Sequence, residues 1–396
     1  MNANPRICNA LSPQEMQRRW DAARTAMRTR GVDALVVQNS SDWVGGHIRW
    51  FTNQPATNGY PATAIFPVDG GLSLIEQGAF DQVRETPGSA DGIARRLTTP
   101  SYPSVHYTAA YDAELALAEL RRLGVRRAAA VAPAGWYHGF GMSLRDGLQR
   151  AGVELVDLTD AIDAIKAVKS AEEQALIREV AAMQDEVMAR VAAYIRPGLR
   201  DFEIAAYAQY QGQLLGSEQG IFLSSSAPPG QAASFRPRSL QGRTLQAGDM
   251  FSLLVENNGA GGFYAEISRL FVLGRADAEL REVHARVLEA QRAALALLQP
   301  GTPCKEVFER HNAWLRAHGM AEERRLSIHG MGHDMVERPL VRGDETMRIE
   351  RDMAIVVHPG VLDERMFVHN TDLYLIAADG PGECLHRTPK QIVEIA

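Results

Sequence analysis

The stretch Met250-Phe-Ser-Leu-Leu-Val-Glu256, Asn257-Asn-Gly-Ala-Gly-Gly262, Phe263-Tyr-Ala-Glu266-Ile-Ser-Arg-Leu-Phe-Val-Leu273 reads as two apolar runs around a glycine-rich turn. That pattern predicts a β-hairpin. Two glutamates, Glu256 and Glu266, stand inside the apolar runs on either side of the turn. A carboxylate in such surroundings costs free energy unless it is paired or binds a metal. Arg269, three residues beyond Glu266, is one partner within reach.

Outward from the hairpin, one order of elements occurs twice. Glu186 to Arg196 reads as helical and is followed by Pro197-Gly198 and a second helical stretch from Glu203-Ile204. Glu289 to Gln299 reads the same way and is followed by Pro300-Gly301, 103 residues after the first Pro-Gly, and a helical stretch from Glu306-Val307. Many helices end in glycine, but the repeat of the whole order predicts a pseudo-symmetric α+β domain. Upstream, Ser170-Ala-Glu-Glu173 has capping-box spacing. Behind it, Leu176, Val180, Met183, Val187, Val191 and Ile195 recur every three or four residues, which predicts one long amphipathic helix.

The N-terminal part is organised differently. Pro13 to Arg30 is helical in pattern, and Ala34 to Gln38 reads as a buried strand closed by Asn39-Ser-Ser-Asp42. Ala62 to Pro67 and Leu72 to Glu76 form a strand pair around Asp69-Gly-Gly71. Leu115 to Leu123 is helical, Ala128 to Ala132 a strand, and Gly141 to Ala151 helical again. This alternation predicts an α/β domain with a mixed sheet. The boundary is expected between residues 160 and 168, giving domains of residues 1–163 and 164–396. No phosphate-cradling glycine motif follows a strand, so no nucleotide site is expected.

The chain has 396 residues, 45% hydrophobic and 23% charged. Those values suit a folded two-domain protein and exclude disorder or a fibrous rod. A net charge of −6 argues against a nucleic-acid partner. No apolar run of about 18 residues is present to span a membrane, and the N-terminus lacks the pattern of a secretory signal. Cys8, Cys304 and Cys384 are far apart in sequence, so a reducing cytoplasm is the expected compartment. The expectation is an enzyme acting on a small molecule.

Chemistry points to the C-terminal third. Five of the eleven histidines (His329, His333, His358, His369 and His386) fall in the last 68 residues. His329-Gly-Met-Gly-His333 has the spacing of a helical zinc pair, but Gly330 stands where such a motif has its glutamate. Two glycines disfavour a helix, so the segment is expected to be a turn that approaches a ligand closely. His358 ends the apolar run Met353 to Val357, where a strand stops and a cleft can begin. Met366 to Ile376 reads as another strand; by its period of two, Asn370 and Asp372 share one face and His369 and Thr371 the other.

These residues resemble the family of creatinase, aminopeptidase P, prolidase and methionine aminopeptidase. The resemblance rests on Ile165-Lys-Ala-Val-Lys-Ser-Ala-Glu-Glu173, Leu245-Gln-Ala-Gly-Asp249, Gly262 to Arg269, His329-Gly-Met-Gly332 with Glu337-Arg-Pro339, and Pro359-Gly360. It implies an α+β fold: a C-terminal pita-bread domain preceded by a creatinase-type α/β domain. The metallopeptidases of the family hold two metal ions with two Asp, one His and two Glu. Here those positions fall on Val255, Glu266, His329, His358 and Thr371, and the substrate-side histidines fall on Ser234 and Val336.

The altered set implies a single divalent metal (Mn, Fe or Zn) at Glu266, His329 and His358, with Asp372 or Glu256 assisting. The alternative is a metal-free acid–base site, as in creatinase. His329, Glu256 and Glu337 are the candidate catalytic groups. Arg236, Ser234, Tyr264, His47 and Trp50 are candidate substrate contacts, and Arg236, Arg238 or Arg269 is expected to bind a substrate carboxylate. The region of His47, Arg49 and Trp50 helps close a partner's site in two-domain relatives, which implies a homodimer. The expected activity is hydrolysis, or a related lyase reaction, of a small non-peptide substrate at a C–N bond. A metallo-aminopeptidase or Xaa-Pro dipeptidase is the first alternative, and a catalytically inactive binding protein the second.

Overall fold

The computed structural model describes residues 11–39, 46–54, 59–89 and 91–396. Cys8 and residues 40–42 of the first expected turn lie outside them. The chain divides into two compact units between Lys166 and Ala167.

The N-terminal unit begins with α1 (Pro13–Thr29), whose Ser12 side chain accepts a hydrogen bond from the Glu15 amide. Then follow β1 (Ala34–Asn39), α2 (Gly46–Thr52), β2 (Ala62–Pro67), β3 (Leu72–Gln77), β4 (Gln82–Glu85) and β5 (Ile93–Thr99). The unit closes with α3 (Tyr111–Arg122), β6 (Arg127–Val131), α4 (His138–Ala151), β7 (Glu154–Asp157) and α5 (Thr159–Ala167). The strands form one mixed sheet in the order β4-β5-β3-β2-β1-β6-β7, with β1, β6 and β7 parallel and β1, β2 and β3 antiparallel. Val36, Ile65 and Ile75 of the sheet pack under Leu117, Leu120, Phe140 and Leu144 of α3 and α4.

A polar cluster interrupts this core. Asp112 of α3 is 2% exposed and accepts hydrogen bonds from the Gln38 amide (2.9 Å), Ser101 (3.3 Å) and the Tyr137 hydroxyl. Burial outweighs these donors and pushes the carboxyl up to about 6. Because the folded value lies above the unfolded one, its contribution is fully present below about pH 4 and is lost as pH rises through about 6. The loss is about 3 kcal/mol, from a shift of about two units. Urea unfolding from pH 4 to 8 is therefore expected to show the wild type losing this increment relative to Asp112→Asn. A constant difference between the two across that range would refute it.

The C-terminal unit opens with α6 (Ala171–Tyr194), where Ser170 and Glu173 complete the capping box in both directions. α7 (Asp201–Leu215) follows, then β8 (Gly220–Ala227), β9 (Met250–Asn258) and β10 (Tyr264–Leu273). The same order recurs in α8 (Ala278–Leu297), α9 (Cys304–Ala317), β11 (Ile328–Gly330), β12 (Glu337–Leu340), β13 (Ala354–Val357), β14 (Gly360–Leu362), β15 (Phe367–His369), β16 (Asp372–Ala377) and β17 (Gly380–Cys384). β18 (Val393–Ile395) returns to pair with β10. The sheets run β18-β10-β9-β8 and β12-β11-β13-β16-β17.

Each half builds its own core between its helix pair and its strands. Val187, Val191, Ile204 and Ala208 pack on Phe251, Leu253, Val255 and Ile267. Ala294, Leu298 and Val307 pack on Ile328, Ile355, Val357 and Ile376. Alternation along each strand turns the next residues, Glu256, Glu266 and His329, to the opposite face. A bridge between Ser268 and Thr371 joins the two halves.

The expected strand Met366 to Ile376 is interrupted. It divides into β15 and β16, with Asn370 and Thr371 between, and β15 pairs with β14 instead of continuing the sheet. Among the described residues no helix is long and apolar enough to cross a membrane.

Candidate functional site

The hairpin β9–β10 sets Glu256 and Glu266 directly opposite each other across the strand pair. Partners in an antiparallel pair project to the same side, so the two carboxylates share one face. The family resemblance aligned Val255 with the first acidic position. In the structure Val255 lies in the apolar core, and its neighbour Glu256 is the residue that faces Glu266. Both glutamates are buried, at 6% and 4% exposure. Burial, then the charge of Glu266, pushes the Glu256 carboxyl well above the usual carboxylate range. Glu266 is also raised by burial, but His358, His329 and His386 outweigh that and hold it low.

β11 and β13 are neighbours and bring the histidines to the same place. His329 Nε2 lies 3.6 Å from Glu266 Oε2, and the His329 and His358 rings sit 5.2 Å apart. One ligand atom from each of Glu266, His329 and His358 falls within 4.8 Å of the others. Burial, partly offset by Glu266, drives His358 down to about 3, so it is a neutral imidazole with a lone pair to offer.

His329 supplies the decisive detail. Its Nδ1 is 2.9 Å from the Gly330 carbonyl, which only accepts, so Nδ1 carries the proton. Nε2 is thus the atom that faces the Glu266 carboxylate. With a lone pair on Nε2, two acceptors would meet there, and a cation between them would turn repulsion into binding. Ligands about 2.1 Å from one ion stand about 3–3.5 Å apart, close to the 3.6 Å observed. The donor set of one carboxylate and two imidazoles suits Zn, Fe or Mn. Glu256 Oε1, buried and without a hydrogen-bond partner among the described residues, borders it.

A third imidazole extends the row. The His369 ring lies 5.4 Å from His358, and its Nδ1 is 2.8 Å from Ser268 Oγ and 3.2 Å from Thr371 Oγ1. Ser268 Oγ is 2.9 Å from Thr371 Oγ1. The His369–Thr371 face of the segment therefore turns toward the site, and neutral hydroxyls occupy the place of the expected second glutamate. Sequence reasoning did not single out His369, although the clustering of histidines and its period-two relation to Thr371 both signalled it. Phe235 meets His369 at 5.5 Å and Phe367 at 4.9 Å, which brings the loop of Ser234 and Arg236 beside this row. The Arg236 side chain itself is exposed.

Other expected site residues are placed elsewhere. Asp372 is not in the cluster: it pairs with Arg269 Nη2 at 2.7 Å, with both side chains buried. Arg269 therefore pairs with neither hairpin glutamate. Its remaining donors go to the carbonyls of Ser268, Thr371, Thr388 and Pro389, which leaves none for a substrate carboxylate.

Glu337 accepts from the amides of His333 (2.8 Å) and Asp334 (3.2 Å) and from Lys169 Nζ (3.1 Å). It tethers the turn after His329. The glycines of that turn are close-approach residues: a Cβ on Gly332 would stand 2.2 Å from Glu337 Oε2, and one on Gly330 would stand 2.4 Å from the Arg338 carbonyl. Tyr264 is 1% exposed, with its amide bonded to the Gly332 carbonyl.

In the N-terminal unit, His47 pairs with Asp163 at 2.9 Å. Trp50 is a core residue at 1% exposure, packed edge-on to Phe51 and under the Arg19 guanidinium. That burial runs against the expectation of Trp50 as a substrate contact.

The architecture is that of two-domain proteins with a creatinase-type domain before a pita-bread domain. It superposes on the X-Pro aminopeptidase of Thermotoga maritima with a TM-score of 0.77 at 17% identity, covering 95% of this chain and 99% of that one. For dipeptidase PepE of Mycobacterium ulcerans the TM-score is 0.75 at 20% identity, covering 98% and 100%. Residues 175–378 match metallopeptidase family M24, and the chain belongs to that family. In sequence it is 24% identical to the uncharacterized hydrolase/peptidase y4tM of Sinorhizobium fredii over 413 aligned positions, 97% of this chain and 98% of that one. It is 26% identical to the Xaa-Pro dipeptidase of Pyrococcus furiosus over 227 positions, 56% and 64% of the two chains.

Proposed function

We propose that the protein is a hydrolase of amide C–N bonds that works with one divalent metal ion held by Glu266, His329 and His358. The observation that carries this reading is the convergence of Glu266, His329 and His358, one ligand atom of each lying within 4.8 Å of the others. A bound ion would polarise the substrate carbonyl and acidify a water molecule. Burial and the charge of Glu266 push the Glu256 carboxyl up on the same face, which makes it the group to pass a proton to the leaving nitrogen. The Ser268–Thr371–His369 hydroxyl and imidazole cluster supplies no carboxylate for a second ion. Phe235 and Phe367 offer an apolar wall beside it.

The peptidase relatives favour a short peptide as substrate, with Xaa-Pro dipeptides first, over the non-peptide substrate expected from the altered ligand set. The test is metal content per chain by elemental mass spectrometry, with hydrolysis of Xaa-Pro dipeptides and of small amides assayed with Mn, Fe or Zn. About one ion per chain and chelator-sensitive hydrolysis are expected. Two tightly held ions, or hydrolysis indifferent to chelation, would overturn the single-metal reading.

A further inference from the structure

The internal repeat of the C-terminal unit places one buried glutamine in each half at the same point. Gln184 is the fourteenth residue of α6 and Gln291 the fourteenth of α8, and both are buried within their helices. A glutamine in a helix face that packs on strands must satisfy its carboxamide there, and the two solve that requirement in parallel. Gln184 Nε2 donates to the Val255 carbonyl (3.2 Å), to Asn257 Oδ1 (2.8 Å) and to the Ala265 carbonyl. Gln291 Nε2 donates to the Val357 carbonyl (3.1 Å) and to Asp372 Oδ2 (3.1 Å).

The backbone groups they hold have one thing in common. Val255 precedes Glu256, Ala265 precedes Glu266, and Val357 precedes His358. Each glutamine thus fixes the peptide plane from which a candidate site side chain departs.

The two also have partners that are neighbours. His386 Nδ1 accepts from the Leu373 amide (3.3 Å), so its Nε2 carries the proton and donates to Gln184 Oε1 (2.9 Å). On its other side, Asp372, which accepts from Gln291, lies 3.9 Å from His386 Nδ1. Behind the site Gln184 is therefore bonded to His386 and Gln291 to Asp372, and these two partners stand side by side.

We infer that Gln184 and Gln291 are paired positioning residues, which hold the hairpin glutamates and His358 at a fixed mutual angle and so prepare the three-ligand set for its metal. This inference rests on the single-metal reading for its purpose, but its geometry can be tested without any ion. Outer partners that orient ligands typically change metal affinity by 10–100-fold when removed. Gln291→Met keeps the side-chain length and removes the donor, and Gln184→Met does the same in the other half.

Two readouts are needed: Co(II) affinity by titration of the metal-free protein, and the imidazole NMR resonances of His358 and His329 in that metal-free state. For Gln291→Met, Co(II) affinity is expected to fall about 10–100-fold, with the His358 resonance shifted or broadened and that of His329 unmoved. For Gln184→Met, affinity is expected to fall similarly while the His358 resonance stays in place. Should Gln291→Met not fold, Gln291→Asn, polar but one methylene short, carries the same comparison. Wild-type affinity together with an unmoved His358 resonance would overturn the inference and leave the metal reading standing. If the wild type binds no Co(II), the metal reading fails, and the His358 resonance alone decides whether Gln291 positions it.

Discussion

Replacing His329 by alanine is expected to lower metal affinity by more than about 100-fold, since an outer-partner loss alone reaches that size. Hydrolysis should fall to background with it. His329 is one of the three proposed ligands, and the Gly330 carbonyl holds its Nδ1 so that Nε2 faces Glu266. The same loss is expected for His358→Ala, whose imidazole burial keeps neutral. Metal analysis of both variants beside the wild type, with a thermal melt as a check on folding, measures this. Retention of about one ion per chain by both folded variants would remove Glu266, His329 and His358 as a ligand set.

The largest stability effect is expected one layer behind. Arg269→Met should destabilise the C-terminal unit by about 3–5 kcal/mol, because it leaves Asp372 as a buried charge without its main partner. The guanidinium makes the ion pair with Asp372 and also bonds to four carbonyls, and both side chains are almost inaccessible. Burial alone would raise the Asp372 carboxyl; Arg269, His386 and Lys390 reverse this and hold it below its ordinary value. A depressed carboxyl contributes stability above its unfolded value, near 4, and loses it as pH falls through the folded value. The difference between wild type and variant in urea unfolding should therefore be largest near neutral pH and narrow as pH falls below 4. A raised KM at unchanged stability would instead assign Arg269 to substrate binding.

These two residues also mark how far the sequence could be read. The long helix from Ser170, the repeated helix–Pro-Gly–helix order and the hairpin were legible because each depends on local periodicity and caps. Glu266, His329 and His358 could be singled out because polar residues inside or at the ends of apolar strands need a reason to be there. What could not be read was the pairing of groups distant in sequence. Arg269 was within reach of Glu266 in sequence, yet the fold brings it to Asp372, 103 residues away. Glu337 lay in a family-like stretch, but Lys169, 168 residues distant, meets its carboxylate. Trp50 was a candidate substrate contact, but the side chain under Arg19 is core. The break between His369 and Asp372 carries no glycine or proline to announce it.

The opposition of Glu256 and Glu266 gives the length of one short connection unusual weight. The two carboxylates meet because Gly259 to Phe263 returns the chain in a single register, Glu256 against Glu266. A strand that slips by one residue exchanges its faces. One codon gained or lost in that connection would turn Val255 into the polar cleft and drive Glu256 into the aliphatic core, with every ligand still present in the sequence. For this chain, an insertion or deletion between the two glutamates is thus expected to be a heavier genetic event than most substitutions. Inheritance of the chemistry follows a residue count as much as residue identity.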